Sequence, residues 1–418
     1  MKKNTTRIIV LALCLTMVLG ITACGGGDAP DVAPAPAPEP APAEPAPADP
    51  APADPAPADP AEPPVNPNIP DYTYIQPEGE IFDFNTYYNE KDASLEANVS
   101  VRQTGGTVGV PDKMTTPMPK ALSNYTIGFS VYYTVDEVGA MILDTMIDAA
   151  AEAGVELLVN DANYDQNAQN TAIEQWILQG VDGVILAPCD FYGVKDALDK
   201  LADANIPVVT LNAPLAGEAD AIVFSECVEQ GQIAGQMLID HLNKEGVELS
   251  GKVIFQTLPF VHPNAVTREI GFREAFAAYP DVEIVMLTGI SPEDHYVAFE
   301  GALLAYPDMI GAWGLYSSAT IGMMNAKLAA NSPVPLTSID NDKIILAGIK
   351  EGNIIGSACY SSIAPAWWTM TLMVNMLNGV TIPGTIMYEN IGVTPANVEA
   401  MFEHYYPGQT LAGYMAGE

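Results

Sequence analysis

A thiol and a carboxylate stand side by side at the end of an apolar run in "VDGVILAPCD", residues 181–190. A catalytic cysteine needs a histidine within hydrogen-bond reach to generate its thiolate. The histidines are scattered along the chain, and of them only His262 follows a predicted strand. We therefore interpret Cys189 as a small side chain that fills the end of a strand, and Asp190 as a candidate for the rim of a binding pocket.

Paired carboxylates are the second chemistry that the sequence offers. Asp190 and Asp340 both follow predicted strands, and two carboxylates across a cleft are the arrangement of a glycoside hydrolase. The same side chains also serve to hydrogen-bond sugar hydroxyls without cleaving the sugar. We expect no catalytic residues, but this pattern alone leaves both interpretations open.

Cofactor and metal sites have little support in the sequence. No glycine-rich phosphate loop follows the first predicted strand, which disfavours a nucleotide cofactor. Cys189, Cys227 and Cys359 are widely spaced and odd in number, which fits neither a zinc site nor a disulfide framework. We predict neither a cofactor nor a metal.

The elements that must position these residues alternate between strands and helices from Tyr125 onward. The predicted strands are continuous apolar runs, as expected of parallel strands that helices cover on both faces. The predicted helices carry an apolar period of about 3.6 residues. Two successive halves of this kind predict an α/β protein with two doubly wound parallel-sheet lobes and a cleft between them. The predicted strands are 126–132, 155–160, 183–188 and 207–211 in the first half, and 252–258, 282–288, 310–316, 334–339 and 353–360 in the second.

Ligands of open α/β sheets bind beyond the carboxyl ends of the strands. The loops at those ends are rich in aromatic, amide and carboxylate side chains and poor in cations. Aromatic faces and hydrogen-bonding groups of this kind suit a small polyhydroxylated ligand. The candidate ligand-binding residues are Tyr132, Tyr133, Asp136, Asp190, Asn212, His262, Asn264, Tyr316, Asp340 and Tyr360.

The charge of the chain excludes two classes of partner. With 16 Lys and Arg against 52 Asp and Glu, the formal net charge is −36. Nucleic acid binding depends on cations that neutralise phosphates, and a polybasic attachment to anionic lipids depends on the same residues. We therefore predict neither of them.

The N-terminus has the features of an export signal. Lys2, Lys3 and Arg7 precede an uncharged apolar run at 8–20, which is shorter than the roughly 20 residues of a bilayer span. The following "ITAC", 21–24, resembles the lipobox of bacterial lipoproteins. That resemblance implies removal of residues 1–23, acylation of Cys24 with fatty acids such as palmitate, and anchoring on the extracytoplasmic face of the cell membrane.

Three segments outside the alternating pattern complete the chain. Residues 24–64 are rich in Pro, Ala, Asp and Glu and include a repeated "APADP" pentad. Proline at this density favours an extended polyproline II linker. Residues 65–123 carry aromatic side chains without a clear period, so we treat them as an extension of uncertain order, and 406–418 as a C-terminal tail.

Over residues 125–401 the sequence resembles the sugar-type ABC-transporter substrate-binding proteins of the ribose- and galactose-binding class, the type I periplasmic binding proteins. The most specific segments are "YDQNAQNTAIEQWILQGVDGVILAPCD" (164–190), "LADANIPVVTLNAP" (201–214) and "TREIGFREAF" (267–276). The resemblance implies a binding domain at 124–405 whose chain crosses a hinge three times, near residues 225–227, 360–361 and 386–389. Lobe 1 would comprise residues 124–226 and 361–385, and lobe 2 residues 227–360 and 386–405.

The resemblance also assigns binding positions and shows departures. Asp136, Asn212 and Asp340 correspond to polar contacts of the family. The usual Asn-Pro-aromatic-aromatic pattern is replaced by "YYTVD" at 132–136, and the family's pocket arginine aligns with Val266. Tyr316 and Tyr360 replace small amides, so we expect an aromatic, less cationic pocket suited to a nucleoside or a modified sugar.

The resemblance implies a monomeric, lipid-anchored solute-binding protein that catalyses nothing. It would capture a sugar, polyol or nucleoside and deliver it to the permease of an ABC transporter. Two alternatives remain: a sensory input protein for a chemoreceptor or histidine kinase, and a carbohydrate-active enzyme.

Overall fold

The computed structural model describes the chain from residue 117 onward with few gaps. All described residues belong to one compact unit, Ala61–Glu418. The predicted signal sequence, Cys24 and the proline-rich linker lie outside the described residues. The described residues are 117–190, 193–212, 218–259 and 262–417, with the backbones of short strands at 73–75, 81–83, 100–101 and 106–110.

The predicted α/β fold is confirmed. Central strands such as Gly183–Leu186 and Val208–Leu211 are buried along their whole length, because helices cover both faces of their sheet. In chain order the strands are β1 Thr73–Ile75, β2 Ile81–Asp83, β3 Ser100–Val101, β4 Gly106–Val110, β5 Thr126–Val131, β6 Glu156–Asp161, β7 Gly183–Leu186, β8 Val208–Leu211, β9 Glu218–Ala219, β10 Ala221–Ser225, β11 Gly251–Thr257, β12 Val282–Thr288, β13 Met309–Gly314, β14 Leu336–Ile339, β15 Gly356–Cys359, β16 Thr385–Tyr388 and β17 Ile391–Val393.

Two helices end at glycines that the sequence places at their C-termini. Gly154 and Gly180 end two helices in the left-handed conformation, with φ of 81° and 71°, which glycine adopts without strain. None of the helices in the described part of the chain combines the length and apolarity needed to cross a bilayer. In chain order the helices are α1 Glu137–Ala153, α2 Gln166–Gln179, α3 Lys195–Asp203, α4 Cys227–Lys244, α5 Pro263–Ala275, α6 Pro292–Ala305, α7 Ser317–Ala329, α8 Lys343–Glu351, α9 Ala364–Leu377, α10 Val398–Tyr405 and α11 Leu411–Ala416.

Two larger sheets organise the described chain. The first has the strand order β4-β16-β10-β8-β7-β5-β6, and each of its pairs is parallel. The second has the order β12-β11-β13-β14-β15-β17, parallel except for the antiparallel pair of β15 with β17. Parallel strands place all their carboxyl ends at one edge, so each sheet presents a single edge of loops to a ligand.

The chain passes between the two sheets three times. The connections run from β10 to α4 through Glu226, from β15 to α9 through residues 360–363, and from β16 to β17 through residues 389–390. We call the parts that contain the first and second sheets lobe 1 and lobe 2, and the three connections the hinge. The bounds of the two lobes given above remain a prediction.

Two segments predicted to lie outside the core contribute to it. Within the extension at 65–123, β4 pairs with β16 and forms one edge of the first sheet, and Met118 is buried. The segment predicted as a tail contains α11, whose Leu411 is buried with Phe402. Neither segment carries a long apolar period, so the sequence alone did not place either of them.

Helices α4 and α5 approach each other at two glycines. A Cβ on Gly231 would lie 1.9 Å from the carbonyl oxygen of Arg268, and one on Gly271 would lie 1.8 Å from that of Val228. Such distances are far below van der Waals contact, so the two backbones touch directly. This contact fixes the position of α5, which carries residues of the candidate site.

We predict that Gly271→Ala destabilises the protein by about 1–3 kcal/mol, because the added methyl group forces the two helices apart. Gly301→Ala is the matched control. Gly301 is exposed in α6, and apart from its own helix backbone and its two chain neighbours no described atom lies within 4 Å of the position that an added methyl group would take. That change should raise stability by up to about 1 kcal/mol. Urea unfolding of both variants measures the difference, and equal effects would contradict the close helix contact.

Candidate ligand-binding site

A cavity lies where the carboxyl ends of both sheets face each other. Loops after β5 and β6 of lobe 1, and after β11, β13, β14 and β15 of lobe 2, supply most of its lining. Its volume is about 30 Å³, which is room for one or two water molecules. A sugar therefore enters only if the lobes part. The cavity is lined by Tyr132, Asp136, Val138, Tyr164, Leu258, His262, Asn264, Ala265, Arg268, Leu315, Tyr316, Asp340 and Tyr360.

A stack of tyrosines forms the wall from lobe 1. The ring centroids of Tyr132 and Tyr164 lie 5.8 Å apart, and those of Tyr133 and Tyr164 lie 4.9 Å apart, all nearly parallel. Tyr164 has a φ of +59°, and its backbone N–H donates to the carbonyl oxygen of Tyr132 over 2.7 Å. That hydrogen bond holds the loop after β6 against the loop after β5, and so fixes the stack.

His262 of lobe 2 meets this stack edge-on. Its ring centroid lies 5.3 Å from that of Tyr132 and 5.9 Å from that of Tyr164. Burial, aided by the charge of Arg268, lowers the pKa of His262 to about 3, so the imidazole is neutral at physiological pH. An uncharged ring can pack against aromatic edges without the desolvation cost of a cation. The aromatic contact therefore closes the cleft between the lobes.

Arg268 places a buried guanidinium in the cavity wall. Its Nε donates to Oε1 of Gln230 over 2.7 Å, and Nη1 donates to the carbonyl oxygen of Leu315 over 3.2 Å. Nη2 lies 3.6 Å from Oδ1 of Asp340, and the guanidinium carbon lies 5.4 Å from the ring centroid of Tyr360. These partners lie on α4 and in the loops after β13, β14 and β15. The side chain of Arg268 therefore connects four separate parts of the pocket wall.

The sequence predicted a pocket with less positive charge than is usual in the family, and this prediction is wrong for the position of Arg268. The alignment of the family's arginine with Val266 pointed to a less cationic pocket, whereas the guanidinium of Arg268 lines the cavity. Asn264 and Arg268 are four residues apart on α5, which places both on one face of the helix. The spacing of these two residues therefore indicated that Arg268 faces the same side as Asn264, but the prediction considered only residues in loops.

Asp340 is held rigidly with one oxygen left over. Its φ is +77°, a conformation that Asp adopts more readily than most residues. Oδ2 accepts hydrogen bonds from the backbone N–H and the hydroxyl of Ser317, over 2.8 and 3.2 Å. The carbonyl oxygen accepts from the hydroxyl of Ser357 over 2.7 Å. Oδ1 has no hydrogen-bond donor among the described residues.

Two further buried polar atoms at the cavity lack partners. Oδ1 of Asn264 and Nε2 of His262 form no hydrogen bond within the part of the chain that the structure describes, although both residues line the cavity. A buried polar atom without a partner costs about 1–3 kcal/mol. A ligand that pairs with these atoms and with Oδ1 of Asp340 recovers that free energy, so the cavity is arranged for a polar ligand.

Asp136 has both a structural role and a place in the lining. Its Oδ1 accepts from the backbone N–H of Gly139 over 2.7 Å and so caps α1. Burial, together with the nearby carboxylates of Asp340 and Asp161, raises the pKa of Asp136 to about 7. Burial and the charges of Asp340 and Asp136 likewise raise the pKa of Asp342 well above its usual range. Acidic groups are thus crowded on this side of the cavity.

Tyr316 forms a wall that is supported from behind. Its hydroxyl lies 2.8 Å from Nε2 of His295, and Nδ1 of His295 lies 2.9 Å from Oε1 of Gln256. Because Nε2 of Gln256 donates to the backbone oxygen of His295, Oε1 of Gln256 has to accept from Nδ1–H. Nε2 of His295 then accepts the phenol proton, which fixes the orientation of Tyr316.

Three of the ten predicted residues do not line the cavity. Tyr133 lies behind Tyr164. Asn212, with a φ of +64°, accepts a hydrogen bond from the hydroxyl of Tyr388 and contacts Tyr132, so it supports the wall from behind. Asp190 accepts from the backbone N–H of Gly193 over 2.7 Å and stabilises a turn. Asp190 is absent from the lining to which Asp340 belongs, and its place at the pocket rim stays a prediction.

The thiol beside Asp190 is a core residue, as the sequence indicated. Cys189 is buried, and burial raises the pKa of its thiol to about 12. Its backbone N–H donates to Oε1 of Gln169 over 3.1 Å. Cys227 and Cys359 are also buried, and neither forms a disulfide with another described residue. Within the described residues no group of three or more His, Cys, Asp and Glu could hold a metal ion.

Tyr164 is, after Arg268, the second lining residue with a polar side chain that is absent from the predicted set. It lies in the loop after β6, the strand at one edge of the first sheet. The rule that ligands bind beyond the carboxyl ends of strands applied equally to this loop. Tyr164 was therefore detectable from its position alone.

We predict that Asp136 makes stability depend on pH. The folded protein holds its proton more tightly than the unfolded chain, since the pKa rises from 3.8 to about 7. Its stabilising contribution is complete below about pH 4 and is lost as the pH rises through 7. The stability of the wild-type protein relative to Asp136→Asn should therefore fall over that range, by at most about 1.4 kcal/mol per pH unit.

Urea unfolding at several pH values measures this difference. Asp165→Asn makes the same chemical change at the N-cap of α2, where the side chain is exposed outside the cavity. An identical pH profile for the two variants would contradict the assigned environment of Asp136.

The chain matches known proteins over the described domain. The family model described as periplasmic binding protein domain matches residues 127–381. The ribose import binding protein RbsB of Bacillus subtilis is 24% identical over 234 residues, which are 54% of this chain and 73% of that protein. The xylitol-binding protein of Mycolicibacterium smegmatis is 22% identical over 269 residues, 62% of this chain and 74% of that protein.

Solved structures share the fold. The ABC transporter solute-binding protein of Bacillus halodurans C-125 with bound myo-inositol has a TM-score of 0.63 and 23% identity, covering 68% of this chain and 99% of that chain. The corresponding protein of Mycobacterium smegmatis with bound glycerol has a TM-score of 0.63 and 23% identity, covering 67% and 97%. Two lobes of mostly parallel sheets, a cavity at their facing edges and a family match over more than half of the sequence agree: this chain belongs to the periplasmic binding protein family.

Proposed function

We propose that this chain is an extracytoplasmic, lipid-anchored receptor that holds a sugar or polyol between its lobes and delivers it to the permease of an ABC transporter. The observation that carries the proposal is the cavity at the facing edges of the two sheets, with its buried polar atoms left without partners. The receptor changes no bond in its ligand.

The lining suits hydroxylated rings and chains. Tyr132, Tyr164, Tyr316 and Tyr360 offer aromatic surface for C–H faces, and Asp340 and Asn264 offer acceptors for hydroxyl protons. Relatives named for ribose and xylitol support a ligand of this class. Two proteins of similar fold were solved with glycerol and myo-inositol bound, which supports a small polyol as the ligand of this fold.

Capture requires the lobes to open and close. In the closed arrangement the backbone N–H of Lys343 in lobe 2 donates to Oε2 of Glu137 in lobe 1 over 2.8 Å, and the Lys343 ammonium lies 3.3 Å from Oε1. Together with the contact between Tyr132 and His262, this pair holds the lobes together at the cleft. A ligand admitted by opening would then be enclosed when these contacts form again.

The anchor keeps the receptor near its transporter. An acyl chain on Cys24 would attach the protein to the membrane surface, and stable attachment takes more than one chain. An extended linker at 24–64, at about 3.1 Å per residue, would let the binding domain reach on the order of 100 Å from that surface. The lipid anchor and the length of the linker together keep the binding domain in a thin layer above the membrane in which the permease lies.

We predict that Asp340→Asn weakens binding of the cognate sugar or polyol at least about tenfold, because a hydrogen bond to a charged acceptor contributes roughly 1.5–3 kcal/mol. The measurement is thermal stabilisation of the full-length protein by pentoses, hexoses, polyols, their amino derivatives and nucleosides. Asp190→Asn is the matched control and should bind as the wild type does.

Two results would overturn the proposal. In the first, no sugar, polyol or amino derivative in the panel stabilises the wild-type protein. In the second, Asp340→Asn and Asp190→Asn respond alike to a ligand that does.

We predict that Cys24→Ser abolishes lipid attachment, because the acyl chains form their bonds with this thiol. Labelling with radioactive palmitate and partition into a detergent phase measure the attachment. Cys14→Ser, which changes a cysteine inside the predicted signal sequence, serves as the control and should remain labelled. Equal labelling of both variants would show that the membrane anchor lies elsewhere.

A further inference from the structure

We propose that the ligand carries a protonated amine beside its hydroxyl groups, as an amino sugar or an aminocyclitol does, and that the cavity prefers such a ligand to the neutral polyol of the same shape. This inference rests on the proposed function and narrows the class of ligand. It follows from the balance of charges and hydrogen-bonding atoms around the cavity.

The cavity has more carboxylates than cations. Asp136 and Asp340 line it, and Asp342 is buried next to Asp340, where both share the hydroxyl of Ser317. Arg268, the cation in the lining, faces Asp340 at 3.6 Å. Asp136 and Asp342 form no ion pair with any described residue.

Lys343, the residue that follows Asp342, carries a cation that is already paired. The ammonium of Lys343 lies 3.3 Å from the carboxylate of Glu137 and 4.7 Å from the ring centroid of Tyr406. This pair stands outside the cavity lining. It leaves the carboxylates of Asp136 and Asp342 without a countercharge from the described residues.

The unpartnered atoms require donors from the ligand. Oδ1 of Asn264 and Oδ1 of Asp340 are acceptors, they belong to residues that are 5% and 4% exposed, and neither has a donor among the described residues. An ammonium group presents three N–H donors on one atom, whereas a hydroxyl presents one. A single amine can therefore pair with several acceptors that converge on one small space.

The aromatic lining favours the same group. Tyr132, Tyr164, Tyr316 and Tyr360 surround the cavity, and a cation over a tyrosine face gains about 0.5–2 kcal/mol, most where water is excluded. Arg268 already uses the ring of Tyr360 in this way, at 5.4 Å. Tyr164 is stacked between Tyr132 and Tyr133, which leaves the rings of Tyr132 and Tyr316 for a cation that enters with the ligand.

The raised pKa values of the buried carboxyl groups indicate that a positive charge from the described residues is missing beside them, and an ammonium group of the ligand would supply it. Burial and the charge of Asp340 raise the pKa of Asp136 to about 7 and that of Asp342 well above its usual range. An opposite charge within about 4–6 Å favours the ionised form of a carboxyl group. A neutral polyol leaves these carboxyl groups in their protonated form, whereas an ammonium favours the ionised form and pairs with it.

Calorimetric titration of the full-length protein in detergent tests the inference with matched pairs. Each pair differs by one group: glucosamine and glucose, galactosamine and galactose, an aminodeoxyinositol and the parent inositol. We expect at least one amine to bind about tenfold or more tightly than its hydroxyl partner, since hydrogen bonds to charged groups are the stronger ones. In the Asp136→Asn variant, the ratio of the affinity for the amine to the affinity for its hydroxyl partner should fall towards one.

Glu137→Gln is the control, because it removes the neighbouring carboxylate outside the cavity lining. Its effect on closure changes both affinities of a pair together, so the ratio should equal that of the wild type. If the neutral member of every pair that binds is bound as tightly as the amine, the inference is wrong and the proposed function stands. If no member of any pair binds and no neutral sugar or polyol binds, both are wrong.

Discussion

The site depends on the burial of one guanidinium. A charge removed from water is tolerated only when partners replace its hydration, and Arg268 finds them in Gln230, the carbonyl oxygen of Leu315, Asp340 and the ring of Tyr360. These partners come from α4 and from the loops after three strands of the second sheet. Their positions are therefore mutually constrained, and the close approach of α4 and α5 at Gly231 and Gly271 holds Arg268 within reach of them.

The same guanidinium connects the cavity to the hinge. Nε2 of Gln230 donates to the hydroxyl of Ser225 over 2.6 Å and to Oδ1 of Asn390 over 3.0 Å. Ser225 ends the strand before the first connection between the lobes, and Asn390 lies in the third. Arg268, Gln230, Ser225 and Asn390 thus form one hydrogen-bonded network that reaches from the cavity to the hinge. A ligand that hydrogen-bonds Asp340, or that displaces the contact of Tyr132 with His262, acts on this network. Closure around a ligand requires such a differential interaction with the open and closed states, and here it arises from contacts that exist only when the lobes meet.

The strand-end rule recovered most of the cavity from sequence, because parallel strands bring distant loops to one edge. It placed Tyr132, Asp340 and Tyr360 without knowledge of any contact. It failed for Arg268, which lies on a helix one turn beyond its loop, and Asp190, whose carboxylate stabilises a turn, is absent from the lining. The edge strand β4 has the sequence "GTVGV", and its pairing with β16 depends on residues about 280 positions away in sequence. Local patterns do not encode such a pairing.

Charge balance was equally hidden in the sequence. The sequence shows which positions hold carboxylates, but only the fold shows that Asp136 and Asp342 form no ion pair with a described residue, while Arg268 faces Asp340 and Lys343 faces Glu137. The central claim is that a small polar ligand is enclosed between the lobes by these side chains. A crystal structure of the protein with a ligand identified by titration tests it most directly. The account predicts electron density between Tyr132 and Asp340, with ligand donors on Oδ1 of Asp340 and Oδ1 of Asn264. Ligand density elsewhere on the molecule, with both oxygens still unpartnered, would contradict it.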